Sequence, residues 1–293
     1  MKNERVFLND TAYFDTYLLH NSKEYNVGKK RPLVIVCPGG GYAFTSDREA
    51  EPIALKFNSI GMHSVVLWYT VMDQVTNVPR NALIECAKTV SYIREHAEEW
   101  LIDPDNIIVC GFSAGGHLAL SMAVKWNQEW LAKEADTTSD MLKVNLAILG
   151  YPGTYTKQAF AEDDLGFASA LIKDPHTANE RFFGVKQPTQ ADIDEYNLLK
   201  FVNKDTPPMF IWHTFEDVLV DVEQSLQLGV VLREQQIPFE MHIFEKGEHG
   251  LALCDRTTAR KASHHNDHVI HWFELCEEWM RPYIDKGEGW KWM

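Results

Sequence analysis

Residues 107–117 read Ile-Ile-Val-Cys-Gly-Phe-Ser-Ala-Gly-Gly-His. A short apolar run meets Gly111-Phe112-Ser113-Ala114-Gly115, and a helix-prone segment follows. This strand–turn–helix context is what a nucleophile elbow requires, with a serine presented on a tight turn. Gly111 and Gly115 fit it because the chain crosses itself closely there and leaves no room for a Cβ. A bare G-x-S-x-G occurs by chance. Its meaning depends on a base, an acid and an oxyanion hole elsewhere in the chain.

Upstream, Leu33–Cys37 is a continuous apolar run, as expected of a strand buried on both faces, and Pro38-Gly39-Gly40-Gly41-Tyr42 follows it. Three consecutive glycines cost conformational entropy, and their use is close approach of backbone to a ligand. A phosphate loop is the rival reading, but neither a Gly-Lys-Ser/Thr ending nor a G-x-G-x-x-G running into a helix is present. The loop is therefore read as part of an oxyanion hole. This loop, with Ala114 after the serine, would aim N–H groups at a developing negative charge.

A serine hydroxyl needs a base to take its proton, and the base needs an acid to orient it. Both are sought in loops at the sheet edge that carries Ser113. Thr214-Phe215-Glu216-Asp217 follows the apolar strand Met209–His213, which places an acid at the same sheet edge as Ser113. Three carboxylates compete. Asp221, with Gln224 three residues on, reads as a helix N-cap. Glu216 is the runner-up, readable as a solvated loop residue, and Asp217 is the choice.

Of the twelve histidines, His249 stands in Glu245-Lys246-Gly247-Glu248-His249-Gly250, directly after the strand Phe239–Phe244, and glycines let that loop carry an imidazole into an open site. His117 lies one helical turn past Ser113 and reads as packing or hydrogen-bonding under the elbow. His213 ends a strand and reads as structural. His264, His268 and His271 would share one face of a helix spanning Ser263–Met280; with no carboxylate or cysteine arranged beside them, a surface helix is preferred to a metal site.

From residue 33 onward, strands alternate with amphipathic helices, the pattern of a mostly parallel sheet covered on both faces. Asp47–Ile60 is read as a helix closed by Gly61, and Ser64–Tyr69 as a strand. Pro79 opens a long helix to about Trp100, and Asp103-Pro104-Asp105 is read as a turn before the strand Ile107–Cys110. A helix follows Ser113 to about Trp126, then a strand Val144–Leu149 and a helix Asp221–Gln236. Residues 153–206 break the alternation and are read as a cap or lid insertion, with helical pieces in Ala159–Ile172 and Gln190–Leu199. Val6–Leu8 and Tyr13–Leu19 are candidate edge strands. The whole chain, 1–293, is read as one domain carrying that insertion.

Composition bounds the partners. The chain has 293 residues, 45% of them hydrophobic, and its formal net charge of −14 is spread along its length. Such a surface repels phosphate backbones and anionic lipid, which argues against nucleic-acid and membrane partners. No run approaches the roughly 18 apolar residues of a transmembrane helix. The first residues show no signal-peptide pattern, and the five cysteines lack metal-type spacing and read as reduced, buried thiols. A cytoplasmic protein is expected, and a homo-oligomer is compatible with the sequence.

Together these residues resemble the α/β-hydrolase superfamily, and within it the bacterial esterase/lipase group of acetyl-xylan or feruloyl esterase-like (BD-FAE-type) carboxylesterases. The resemblance rests on Val36-Cys37-Pro38-Gly39-Gly40-Gly41-Tyr42, Ser46-Asp47-Arg48-Glu49-Ala50 and Gly111-Phe112-Ser113-Ala114-Gly115-Gly116-His117. It rests also on Trp212-His213-Thr214 with Asp217, and on Gly247-Glu248-His249-Gly250-Leu251. Pro38 departs from the pattern, since many hormone-sensitive-lipase-like relatives carry histidine before the glycines.

The resemblance implies Ser113 as nucleophile, Asp217 as acid, His249 as base, and Gly40, Gly41 and Ala114 as oxyanion donors. It implies a serine esterase acting on small acyl groups such as acetyl, including esters of sugars or xylo-oligosaccharides, with no metal or organic cofactor. Two alternatives stand beside it: a peptidase of the same fold, and a non-catalytic ligand-binding protein. Asp47 and Arg48 are read as bracing the glycine loop rather than binding substrate.

Overall fold

The computed structural model describes residues 1–24, 26–72, 75–156, 158–161 and 174–284. Among them, eight strands form one sheet in the order β1-β2-β4-β3-β5-β6-β7-β8. They are β1 (Arg5–Phe7), β2 (Tyr13–Tyr17), β3 (Arg31–Cys37), β4 (His63–Trp68), β5 (Ile102–Phe112), β6 (Leu146–Gly150), β7 (Met209–Thr214) and β8 (Phe239–Phe244). From β4 across to β8 every pairing is parallel, while β1 and β2 add an antiparallel edge. This is the mostly parallel sheet that the alternating pattern predicts.

The unbroken apolar strands are explained by burial on both faces. Leu33, Ile35 and Cys37 of β3 enter one core, and Val34 and Val36 enter the other. The first core is closed by α2 (Val78–Glu95), α3 (Ala114–Lys125) and α8 (Glu223–Glu234), the second by α1 (Glu51–Ser59) and α9 (Trp272–Ile284). Phe57 of α1 meets Phe273 of α9 with ring centroids 5.1 Å apart. Burying one such side chain contributes about 1.5–3 kcal/mol.

Several boundaries differ from the sequence reading. The helix opened near Pro79 ends at Glu95 rather than Trp100, because Leu101 takes φ +54° and Ile102 donates to Ala97 O at 2.8 Å, turning the chain into β5. The Asp103-Pro104-Asp105 turn lies inside β5 as a bulge, where a step from Arg31 to Leu33 on β3 meets one from Ile102 to Ile107. Asp47–Ile60 is broken at Ala50 (φ −107°, ψ −107°), leaving a short 3₁₀ turn at Asp47–Glu49 before α1. That break points Glu49 inward.

The helix expected over Ser263–Met280 begins only at Trp272. Asn266 is the cause: its side-chain oxygen accepts the N–H groups of His268 and Val269, and its amide donates to Lys246 O. Such local side-chain bonds compete with helix formation. His264, His268 and His271 therefore share no helix face, and among the described residues no group of three or more His, Cys, Asp or Glu could hold a metal ion.

Between β6 and β7 the chain leaves the sheet through α6 (Pro175–Phe183), α7 (Gln190–Asp194) and a 3₁₀ turn at Leu198–Phe201. A capping box of Thr189 and Asp192 starts α7. The expected helical piece Ala159–Ile172 falls mostly outside the described residues. Between β5 and β6, α4 (Glu129–Glu134) and α5 (Ser139–Leu142) complete the set. None of the helices among the described residues is long and apolar enough to cross a membrane. All five cysteines are buried and unpaired.

Candidate active site

Ser113 sits between β5 and α3 with φ +54° and ψ −119°, a strained conformation for a residue with a side chain. The strain is held by backbone bonds: Ser113 N–H donates to Gly150 O at 3.1 Å, and Ser113 O accepts from His117 at 3.0 Å and Gly153 at 3.2 Å. The two glycines of the turn are sterically required. A Cβ on Gly111 would lie 2.0 Å from Gly115 O, and one on Gly115 2.0 Å from Cys37 O.

Parallel register brings the ends of β5, β7 and β8 to one edge, so three distant residues converge. His249 Nε2 lies 2.8 Å from Ser113 Oγ, and His249 Nδ1 lies 2.6 Å from Asp217 Oδ2. An ionised carboxylate can only accept, so Nδ1 carries the proton and Nε2 turns its lone pair toward the serine hydroxyl.

Asp217 is buried, which by itself would push its carboxyl up. Hydrogen bonds from His213 and His249, and from the Val220 N–H, outweigh that and hold it well below the usual carboxylate range. Its Oδ1 accepts the N–H groups of Leu219 and Val220, each at 2.9 Å. His213 reaches Oδ2 at 3.1 Å through Nε2, which also donates to Val220 O, while its Nδ1 meets Ser225 Oγ at 2.8 Å. The strand-end histidine thus braces the acid.

The two rival carboxylates lie elsewhere. Glu216 points to solvent, pairs with Lys246 at 2.9 Å and accepts the Gly247 N–H at 3.1 Å, steadying the loop that carries His249. Asp221 accepts the Glu223 N–H at 2.8 Å, but Val222 occupies the N-cap position of α8. The expected capping pair with Gln224 does not form, because that amide oxygen accepts from Thr154 and Tyr155 N–H groups.

The glycine loop adopts backbone angles that only glycine takes comfortably. Gly40 has φ +127° and Gly41 φ +63°, and a Cβ on Gly40 would lie 2.0 Å from Phe44 O. Ala43 and Phe44 both donate to Gly40 O, closing the turn. Among the described residues, no protein acceptor takes the N–H of Gly40, Gly41 or Ala114. All three residues line one cavity of about 450 Å³ together with Ser113 and His249. Gly153, Tyr155, Thr156 and Phe182 of the 153–206 segment form another part of its wall.

Two site residues escaped the sequence reading as functional groups. Glu49, only 4% exposed, accepts the Gly39 N–H at 2.8 Å through Oε2 and the Tyr151 hydroxyl at 2.6 Å through Oε1. Tyr151 packs edge-on against His249 and accepts the Ala252 N–H at 2.9 Å. Burial and the Glu49 charge both push its phenol up, which keeps the hydroxyl protonated as a donor. The available signal was a carboxylate amid the apolar face of a helical segment.

His117 lies under the elbow as its helix position implies. Its Nδ1 meets Tyr42 Oη at 2.8 Å and its Nε2 faces Tyr196 O at 3.4 Å. Burial pushes its pKa down to about 4, so it is neutral. Arg48 donates from Nε to Thr258 O at 2.5 Å and lines the cavity.

The BD-FAE family model matches residues 15–232. Endo-1,4-beta-xylanase B of Butyrivibrio fibrisolvens is 33% identical over 239 residues, which cover 79% of this chain and 34% of that protein. The chain spans about a third to a half of the length of the curated relatives it matches. A sugar hydrolase (YeeB) from Lactococcus lactis has a similar structure, with TM-score 0.76, 33% identity and 97% and 99% of the two chains covered. The carboxylesterase Cest-2923 from Lactobacillus plantarum WCFS1 aligns with TM-score 0.82, 28% identity and 97% and 98% coverage. The chain belongs to the BD-FAE family, among the esterase-type α/β-hydrolases.

Proposed function

We propose that the protein is a serine carboxylesterase that hydrolyses small acyl esters, acetyl foremost, of sugars or related alcohols. The observation that carries this reading is the hydrogen-bonded line Asp217–His249–Ser113 ending beside three N–H groups that no protein acceptor among the described residues uses.

Ser113 Oγ attacks the ester carbonyl carbon while His249 Nε2 takes its proton. The carbonyl oxygen becomes an oxyanion held by the N–H groups of Gly40, Gly41 and Ala114. The tetrahedral intermediate collapses, the C–O bond to the alcohol breaks, and His249 gives its proton to the departing oxygen. Water then attacks the acyl-Ser113 ester with His249 again as base, releasing the acid and restoring the hydroxyl. Asp217, kept ionised by its donors, stabilises the imidazolium in both halves.

The 153–206 segment acts as the cap: its wall residues enclose the substrate without joining the proton path. Similarity to Endo-1,4-beta-xylanase B and to the sugar hydrolase (YeeB) supports a sugar as the alcohol.

A short-chain nitrophenyl ester assayed with wild type and Ser113→Ala tests the chemistry. Turnover should fall on the order of 10⁶-fold in the variant. Undiminished hydrolysis would overturn the assignment. An organophosphonate should label Ser113 in peptide mass mapping, and labelling elsewhere would count equally against it.

A further inference from the structure

Arg48 is the only lysine or arginine among the described residues that line the cavity. Its Nε is committed to Thr258 O, which fixes the stem, and Nη1 lies 4.0 Å from where a Cβ on Gly250 would stand, next to His249. Nη2 is buried without an acceptor. No ion pair among the described residues includes Arg48, although acids stand close in sequence and space. Glu49 is occupied by Gly39 and Tyr151, and Glu248 by Lys261 at 2.7 Å. In a chain of net charge −14, the fold leaves this guanidinium without a carboxylate partner beside the reacting groups.

Position decides which half of the substrate it faces. On the esterase reading, on which this inference rests, His249 protonates the departing alcohol, so that alcohol lies against His249 and Gly250. We infer that Arg48 is a specificity residue that anchors a carboxylate on the alcohol portion of the substrate, as in an ester of a hydroxy acid or an acidic sugar. A guanidinium binds carboxylate through charge-assisted hydrogen bonds that strengthen away from bulk water. Arg48 touches no reacting atom, and its effect is on recognition.

The test compares 4-acetoxybenzoate with its neutral methyl ester on wild type, Arg48→Gln and Arg48→Lys. The readout is the ratio of the two kcat/KM values within one enzyme preparation, which does not depend on how much of a variant folds. Dividing the wild-type ratio by that of Arg48→Gln removes the intrinsic reactivity difference between the esters. That quotient should be on the order of 10- to 100-fold, the range of hydrogen bonds to charged groups. Arg48→Lys should retain part of it, and the gain should appear in KM and shrink as salt rises. A quotient near one overturns the inference, as does a preference confined to esters with the carboxylate on the acyl side. Titration of 4-hydroxybenzoate by calorimetry separates the two readings. Roughly tenfold tighter binding to wild type than to Arg48→Gln supports the anion anchor even if no ester is turned over, and equal binding overturns it.

Discussion

Glu49 and Tyr151 share a 2.6 Å hydrogen bond across 102 positions of sequence. The other carboxylate oxygen holds the Gly39 N–H, and the same phenol holds the Ala252 N–H. One buried acid thereby fastens the glycine loop to the end of β6 and to the segment that follows His249. The parts proposed to hold the oxyanion and to move the proton are set against each other through this bridge.

Glu49→Ala leaves two buried donors without an acceptor, each costing about 1–3 kcal/mol. Urea denaturation should show a loss on the order of 2–6 kcal/mol, and kcat should fall roughly 10- to 100-fold, the scale of a 1 Å misplacement. Glu49→Gln keeps an acceptor for Gly39 but not for the Tyr151 hydroxyl and should recover about half of the stability. An alanine variant as stable and active as wild type would remove the bridge from the account.

At Gly40 the added methyl of alanine would meet Phe44 O at 2.0 Å on a backbone of φ +127°. The loop must shift, and the Gly40 and Gly41 N–H groups shift with it. Turnover in Gly40→Ala should fall on the order of 10²–10³-fold, the cost of one oxyanion donor. Ester kinetics on folded variant check this; unchanged kcat would place the oxyanion elsewhere.

Asp217→Asn presents an amide where His249 Nδ1 now donates. The imidazole then favours the tautomer with its proton on Nε2, facing Ser113. A drop of about 10⁴ in kcat with the fold retained is expected. Circular dichroism alongside nitrophenyl ester turnover reads both.

Acid should weaken the fold through two buried imidazoles. Burial pushes His117 and His63 each down to about 4, below an unfolded value of about 6.5. Between these values the unfolded chain takes protons that the folded state refuses, so stability is lost as pH falls from 6.5 toward 4. Each histidine accounts for about 3 kcal/mol of that loss. His117→Asn, which keeps an acceptor for Tyr42, should remove about half of the pH dependence in denaturant midpoints between pH 7 and 4.5. An unaltered slope would show that His117 does not titrate in this way.

Much of the fold was legible because its signals are local. The runs Leu33–Cys37 and Phe239–Phe244 read as strands from composition alone, and the glycines around Ser113 read as a turn that tolerates no Cβ. Where the reading failed, a single polar side chain overrode periodicity. Asn266 ended the helical pattern of 263–271 with three hydrogen bonds, and Gln224 gave its amide oxygen to the chain after β6 rather than to its own helix start.

By itself, then, the sequence determined the sheet, the serine turn and the glycine loop. Those follow from side-chain volume, backbone freedom and turn chemistry within a few residues. Tertiary structure decided that His213 braces Asp217, that Glu49 turns inward and that, among the described residues, Arg48 has no carboxylate partner. Each rests on contacts between residues set by the register of parallel strands. His249 meets Ser113 across 136 positions and Asp217 across 32, and no local periodicity carries that information.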